Sequence, residues 1–576
     1  MTHLFNRRVP ARRALTVALL AAVLHTGCMS TPSATSTDPA STGAIASSEG
    51  RINAADFAAH VQTLSSDAFG GRAPGSEGEQ KTVDYLEAEF RRLGLVPGNS
   101  GSFVQTVPMV ETTADASTVL TLAGPRTHAL KFGSDMVIGT RTGRSEVALK
   151  NSDLVFVGYG VNAPEQGWND YAGIDVKGKT VVILVNDPGF HQQDASLFEG
   201  KRMTYYGRWT YKFEEAARQG AAGALIVHDT PGAAYGWDVV RNSWSGAQFD
   251  LPASEDAEPR LPVQGWITGD VARALMADSG LDLDALYQRA GTRGFKAVPL
   301  KSRASAMLRS TTREKISRNV IATLPGASKP NETVVYMAHW DHLGDHGHAG
   351  EATSAADAIY NGAVDNATGV AGILEIAEAF ARGPRPQRSV TFMAVTLEES
   401  GLLGSKYYVA KPVIPLRDTV GVINLDAMSV LGRARDMVVV GHGSSELEDI
   451  LKPLAAAQGR TLVPESAPQD GYYFRSDHFN FAKAGVPALY ARGGEELVDG
   501  GSAAGTAKQL DYRANRYHKA SDEFDPAWPL DGVVQDLEVL HGVGASLANS
   551  DTRPRWYPTN AFRAAQDKLL GTSGTR

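Results

Sequence analysis

The residues best suited to chemistry crowd into one stretch. Residues 334–342 read VVYMAHWDH, an apolar run that stops at Ala338 with His339, Asp341 and His342 close behind it. Such a run suits a strand buried on both faces, and open α/β sheets bind ligands at the carboxyl ends of such strands. Asp365 follows in the Gly-flanked turn NGAVDNATG. A lone histidine here would read as a core residue. His339, Asp341 and His342 together, with Asp365 after them, read as a metal site. Later strand ends repeat the pattern: Glu398 and Glu399 follow the run at 390–397, Asp426 follows INL, and His518 lies in RYHKASDEFD. Imidazoles and carboxylates brought from separate strand ends are ligands that zinc-like cations accept. A carboxylate lying between two such pairs would bridge two metals about 3.5–4 Å apart. The side chains of Glu398 and Glu399 leave the backbone in different directions, so one can bind metal while the other faces an attacking water.

The elements that must position these residues alternate. Strands are expected at 319–324, 334–337, 390–397, 420–425, 437–440 and 486–490, and helices at 369–382, 444–458 and 533–547. That order implies an α/β fold, a mostly parallel twisted sheet with helices on both faces. Two earlier helices, at 52–66 and 80–94, flank the loop GGRAPGSEGEQ, and short alternating segments over 103–139 read as strands. Near residue 145 the character changes to DLVFVGYGV, KTVVILVND and EEAARQGAAGALIVHD. Gly158 and Gly160 do not make a nucleotide loop, because the third glycine and the following helix are missing. Residues 551–576 read as a tail.

A chain of 576 residues has room for two or three domains. Its 43% hydrophobic and 21% charged residues are ordinary for a soluble globular protein. The formal charge is −8 although Arg7, Arg8, Arg12 and Arg13 stand before the first acid, so no nucleic-acid partner held by a basic surface is expected. Those arginines and the apolar run at 14–24 have the layout of a secretory signal peptide over 1–27, too short to span a bilayer. Cys28 is the only cysteine, so no intramolecular disulfide can form. Its place after His-Thr-Gly resembles a bacterial lipoprotein processing site, which implies a lipid on Cys28 followed by a flexible tether over 28–50. The expectation is an exported cell-envelope lipoprotein of the periplasm or outer membrane, touching membrane only through Cys28. Without the lipid it would be periplasmic or secreted.

The segments AHWDHLG, GAVDNATG, LEESGLLGS, INLDAM and YHKASDE together are similar to the motif series of the di-zinc aminopeptidase family. Those co-catalytic zinc exopeptidases are relatives of glutamate carboxypeptidase and of the non-catalytic transferrin receptor. The resemblance covers 51–139 and 301–550 as a peptidase domain of zinc exopeptidase fold. Residues 140–300 resemble an inserted, mainly-β protease-associated domain. The resemblance implies two Zn2+ per chain, with His339 and Asp426 on one, Glu399 and His518 on the other, and Asp365 bridging. It implies Glu398 as general base, Asp341 orienting His339, Tyr517 steadying the oxyanion, and a cis peptide between Asp365 and Asn366. Tyr472 or Tyr473 could take the tyrosine's part instead. His342, Asp477 and His478 are assigned structural roles, and His346 and His348 are expected to face solvent. HExxH and GxSxG are absent, which speaks against a gluzincin and an α/β-hydrolase. The expected activity is hydrolysis of the N-terminal bond of a peptide. A carboxypeptidase, with Arg475, Arg492, Arg513 and Arg516 as candidates to hold a carboxylate, remains open at this stage. So do a one-zinc glutaminyl cyclase and a receptor-like binding protein.

Overall fold

Val334, Val335, Tyr336 and Met337 expose no surface, and they form the middle of strand Lys329–His339 in a computed structural model that describes residues 52–345 and 358–572. The signal peptide, Cys28, the tether over 28–50, His346 and His348 lie outside the described residues. Strand Lys329–His339 runs parallel to Arg388–Val395 on one side and to Thr419–Asn424 on the other. Ala488–Gly493 extends the parallel set. Antiparallel neighbours close both flanks: Val298–Leu324 beside Arg388–Val395, and Asp436–Val439 beside Ala488–Gly493. His339 lies opposite Val395 and Met337 opposite Asn424, so the three central strands end together at one edge.

The pleat sorts the core. Val334, Tyr336 and Ala338 pack with helices Ala54–Leu64, Thr368–Arg382 and Asp531–Asn549 on one face, while Val335 and Met337 pack with Tyr408, Phe481 and Trp556 on the other. Every residue from Thr368 to Phe380 is buried, as expected of a helix that is apolar on nearly every side. The C-terminal segment is not a tail. Trp556 is fully buried, its N–H donates to Gln566 Oε1 at 3.0 Å, and helix Arg563–Leu569 follows. Its few large aromatics stand among Pro and Arg residues, so no periodicity betrays it. No described helix is long and apolar enough to cross a membrane.

One buried acid in this layer should make stability depend on pH. Glu375 accepts the Asn53 N–H at 2.7 Å through Oε2, but Oε1 has no hydrogen-bond partner. Burial pushes its carboxyl up to about 7. The folded state therefore keeps a proton that the unfolded chain loses from about pH 4.5 upward, and the stability this confers falls as pH rises towards 7. The melting temperature of Glu375→Gln relative to wild type should rise between pH 5 and pH 8. A difference that does not change with pH would show that Glu375 is not protonated in the fold.

A second core precedes the metal-ligand strands. Strands Glu146–Phe156, Thr180–Leu184, Gly223–Val227 and Val263–Ile267 are parallel in that order, with Met136–Gly139 antiparallel at the far edge. Apolar clusters cover both faces and extend from Leu120 to Leu308, beyond 140–300 at each end. This segment, expected to be mainly β, also carries helices Trp209–Arg218, Gly269–Asp278 and Leu283–Ala290. Strand Val298–Leu324 is 27 residues long. It pairs first with Glu146–Phe156 and Val119–Ala123, then with Val104–Ala114, and last with Arg388–Val395. One strand thus serves both cores.

Candidate active site

Three of the five candidate ligands, and Glu398 with them, sit where a strand has just ended. His339 is the last residue of its strand, Glu398 and Glu399 follow Val395, and Asp426 lies two residues beyond Asn424. Asp365 comes from the turn before helix Thr368–Arg382. Gly362 opens that turn at φ +53°, where a Cβ would fall 2.3 Å from the Asp365 carbonyl oxygen and 2.5 Å from the His342 ring. Only glycine fits there. The Asp365–Asn366 peptide is cis. The Asp522 carboxylate accepts the N–H groups of Val364 and Asp365 at 3.1 and 3.0 Å, which fixes the turn from outside.

Arg72, from the loop GGRAPG, ties this turn to the His339 strand. Its guanidinium is buried and donates to the carbonyls of Trp340 (2.9 Å), Leu64 (2.8 Å), Asn361 (2.6 Å) and Gly362 (3.0 Å). Arg72→Met would leave those carbonyls without a donor, at about 1–3 kcal/mol for each that stays dry. It should lower the denaturation midpoint and weaken metal binding about tenfold or more in chelator competition. Metal affinity equal to wild type would rule out this positioning role.

The side chains converge. His339 Nε2 stands 3.3 Å from Asp365 Oδ1 and 3.4 Å from Asp426 Oδ1. His518 Nε2 stands 3.2 Å from Asp365 Oδ2 and 3.2 Å from Glu399 Oε2. The two oxygens of Asp365 thus face different imidazoles. His339 Nδ1 lies 3.1 Å from the Asp341 carbonyl, which can only accept, so Nδ1 carries a proton, and Nε2 donates to the carboxylates when protonated or offers its lone pair to a cation when not. This corrects the part expected of the Asp341 side chain. Its Oδ1 is 3.9 Å from His339 Nδ1 and instead accepts the Glu398 backbone N–H at 3.2 Å.

Charge shows what such a cluster suits. Among the described residues no Lys or Arg pairs with Asp365, Glu399 or Asp426, whose close partners are imidazoles. Burial alone would lower His339, but Glu398, Asp365 and Asp426 push it well above its ordinary value. Burial likewise opposes a proton on His518, yet Glu399 and Asp365 raise it to about 9. Burial, with Glu399 and Asp426 beside it, pushes Glu398 well above the carboxylate range, against the pull of His339. The site gathers protons because its negative charge is uncompensated. Oxygen and imidazole donors that demand positive charge fit divalent cations, and the groups His339/Asp365/Asp426 and His342/Asp365/Glu399 are spaced to hold them.

His342 is therefore closer to the chemistry than its structural assignment implied. Its Nδ1 lies 2.7 Å from Glu399 Oε1, and its buried Nε2 has no hydrogen-bond partner. Tyr517 is 38% exposed and stacks on His518 with ring centres 3.9 Å apart, at the mouth of the site. Tyr472 lines the same cleft, whereas Tyr473 is buried in the core against His478. Asp477 is buried, accepting from Ser405 Oγ at 2.5 Å. Sequence reasoning missed Ser476, whose Oγ donates to Asp426 Oδ2 at 2.5 Å, and Tyr490, whose hydroxyl donates to the Asp426 carbonyl at 2.9 Å. Arg475, Arg492 and Arg513 line the cleft, and Arg516 does not. The cleft holds about 930 Å³ and takes its walls from both cores.

A parallel sheet whose strand ends converge on buried imidazoles and carboxylates defines a metal-dependent hydrolase as the class of protein. Residues 319–538 match the sequence model of peptidase family M28. Over 572 residues it is 26% identical to the probable lipoprotein aminopeptidase LpqL of Mycobacterium tuberculosis, covering 94% of each chain. It is 33% identical over 171 residues to leupeptin-inactivating enzyme 1 of Streptomyces exfoliatus, covering 29% of this chain and 34% of that one. The solved aminopeptidase of Aneurinibacillus sp. strain AM-1 shares the fold at a TM-score of 0.50 and 21% identity, covering 87% of this chain and 96% of that one.

Proposed function

We propose that the chain is a zinc-dependent aminopeptidase that removes the N-terminal residue of peptides. The observation that carries this reading is Asp365, whose two carboxylate oxygens face His339 and His518 separately at 3.3 and 3.2 Å. His339 and Asp426 would hold one zinc, Glu399 and His518 the other, and Asp365 both, making two ions per chain. Zinc held there would acidify a water and polarise the scissile carbonyl. Glu398 takes the proton from that water and passes it to the leaving amine. Asp341 keeps Glu398 in place through its backbone N–H. Tyr517 stands at the mouth of the site, placed to donate to the oxyanion. Similarity to a probable lipoprotein aminopeptidase along almost the whole length supports an exported, lipid-anchored protein with Cys28 as the anchor, in which 140–300 would be a protease-associated domain that shapes access.

A panel of aminoacyl anilides, run with zinc titrated back into chelated enzyme, tests the reading. Activity should return with zinc and require a free α-amine. Hydrolysis of N-acetylated dipeptides in preference to the anilides would mean a carboxypeptidase instead.

A further inference from the structure

One wall of the cleft carries positive charge that forms no ion pair among the described residues. Arg208 precedes helix Trp209–Arg218 in the second core, is 8% exposed, and lines the cleft with a buried Nε that has no hydrogen-bond partner. Burial, with Arg475 beside it, lowers its guanidinium to about 9. Arg475 lies with Cζ 5.2 Å from the Tyr472 ring centre and 5.9 Å from that of Tyr235, and Arg513 lies 5.1 Å from Tyr472. Among the described residues none of the three forms an ion pair. Asp470, raised by burial and drawn down by Arg475 and Arg513, stays outside pairing distance of both.

Arg492, also on the cleft, donates to the Ala427 carbonyl at 3.0 Å, and four other bases lining it have their acids. Lys406 meets Asp256 at 2.7 Å, Lys483 meets Glu214 at 3.4 Å, Arg260 meets Asp256 at 2.9 Å and Arg141 meets Asp250 at 3.1 Å. A desolvated guanidinium without a counter-charge is costly, and its planar fork matches a carboxylate. Tyr472 and Tyr235 hold Arg475 between their rings, which limits its rotamers before any ligand arrives. Arg208, Arg475 and Arg513 line the same cleft as His339, Asp365, Glu399 and His518.

We propose that Arg208, Arg475 and Arg513 form a subsite for a carboxylate of the peptide substrate. The proposal rests on the aminopeptidase reading and adds a substrate class to it. The carboxylate is either the C-terminus of a short peptide or an acidic side chain near the scissile bond, and both would meet the same guanidinium groups. Because Arg208 comes from the second core and the other two from the peptidase core, selectivity would depend on both.

The test compares kcat/KM within matched pairs: Leu-Leu against Leu-Leu-amide, Glu-Leu-amide against Gln-Leu-amide, and Leu-Glu-amide against Leu-Gln-amide. At least one carboxylate member should be favoured about tenfold or more, and the pair that shows it identifies the source. That preference should shrink towards unity in Arg475→Gln and in Arg208→Gln. Ratios near one in the wild type would overturn the subsite, and so would a preference that survives both substitutions. Calorimetric titration with glutarate separates this proposal from the reading beneath it. Glutarate should bind wild type about tenfold more tightly than Arg475→Gln even if no free-amine peptide is cleaved, and equal affinities would overturn the subsite whatever the activity.

Discussion

Glu398→Gln should keep its bound zinc and lose about two to four orders of magnitude in kcat, the usual worth of a positioned acid–base group. Glutamine has nearly the shape of glutamate but cannot take a proton from water. The surroundings make the prediction sharp. Glu398 follows its strand by three residues, its N–H is held by Asp341 at 3.2 Å, and burial beside Glu399 and Asp426 raises its carboxyl. Metal content and kcat measured on the same sample decide the matter. Zinc loss with unchanged turnover per bound ion would make Glu398 a ligand and not the base.

Asp365→Ala should abolish activity by a different route. Asp365 is the one side chain with an oxygen close to each imidazole, 3.3 Å from His339 and 3.2 Å from His518. Burial would raise its carboxyl, but the two imidazoles hold it well below the ordinary range. Without it both ion positions lose a charged donor at once, so elemental analysis after dialysis should find zinc missing from both. Asp426→Ala and Glu399→Ala remove a donor from one side only and should each lose about one ion. An Asp365→Ala protein that kept two ions would break the assignment of Asp365 as the shared ligand.

The residues legible before any coordinates were those with a simple rule behind them. His339, Glu398, Glu399 and Asp426 each follow a buried apolar run, and such runs can be seen by eye. His518 and Asp365 have no such run: Asp365 stands out by its Gly-flanked turn after the His339 cluster, and the particular role of each comes from the resemblance of their motifs. Positioning groups were much harder to see. Asp522 and Arg72 act on backbone N–H and carbonyl groups from positions at least 157 residues distant in the case of Asp522, so neither periodicity nor spacing marks them. Asp341 shows the limit most clearly. Its nearness to His339 was plain, but whether its carboxylate or its carbonyl meets the imidazole depends on backbone torsions that residue type does not reveal. The motif series leaves His342 a structural role, and only the fold shows its ring against Glu399. The aromatic C-terminal segment was lost for want of length.

The 27-residue strand Val298–Leu324 also bears on how the protein is made. Strand Val104–Ala114 emerges early from the ribosome, yet its partner residues 310–320 follow about two hundred positions later. The first helices bury their apolar sides against strands that come later still. The first portion of the catalytic core therefore waits for its main partners while the second core is synthesised, with residues 110–113 meeting Ala247–Asp250 on the way. Pairing so distant in sequence is slow and leaves apolar edges open meanwhile. Once Val298–Leu324 exists, it can complete the second core with its first half and seed the catalytic sheet with its second. The catalytic centre is then among the last parts of the molecule to form, which keeps an immature chain from hydrolysing peptides.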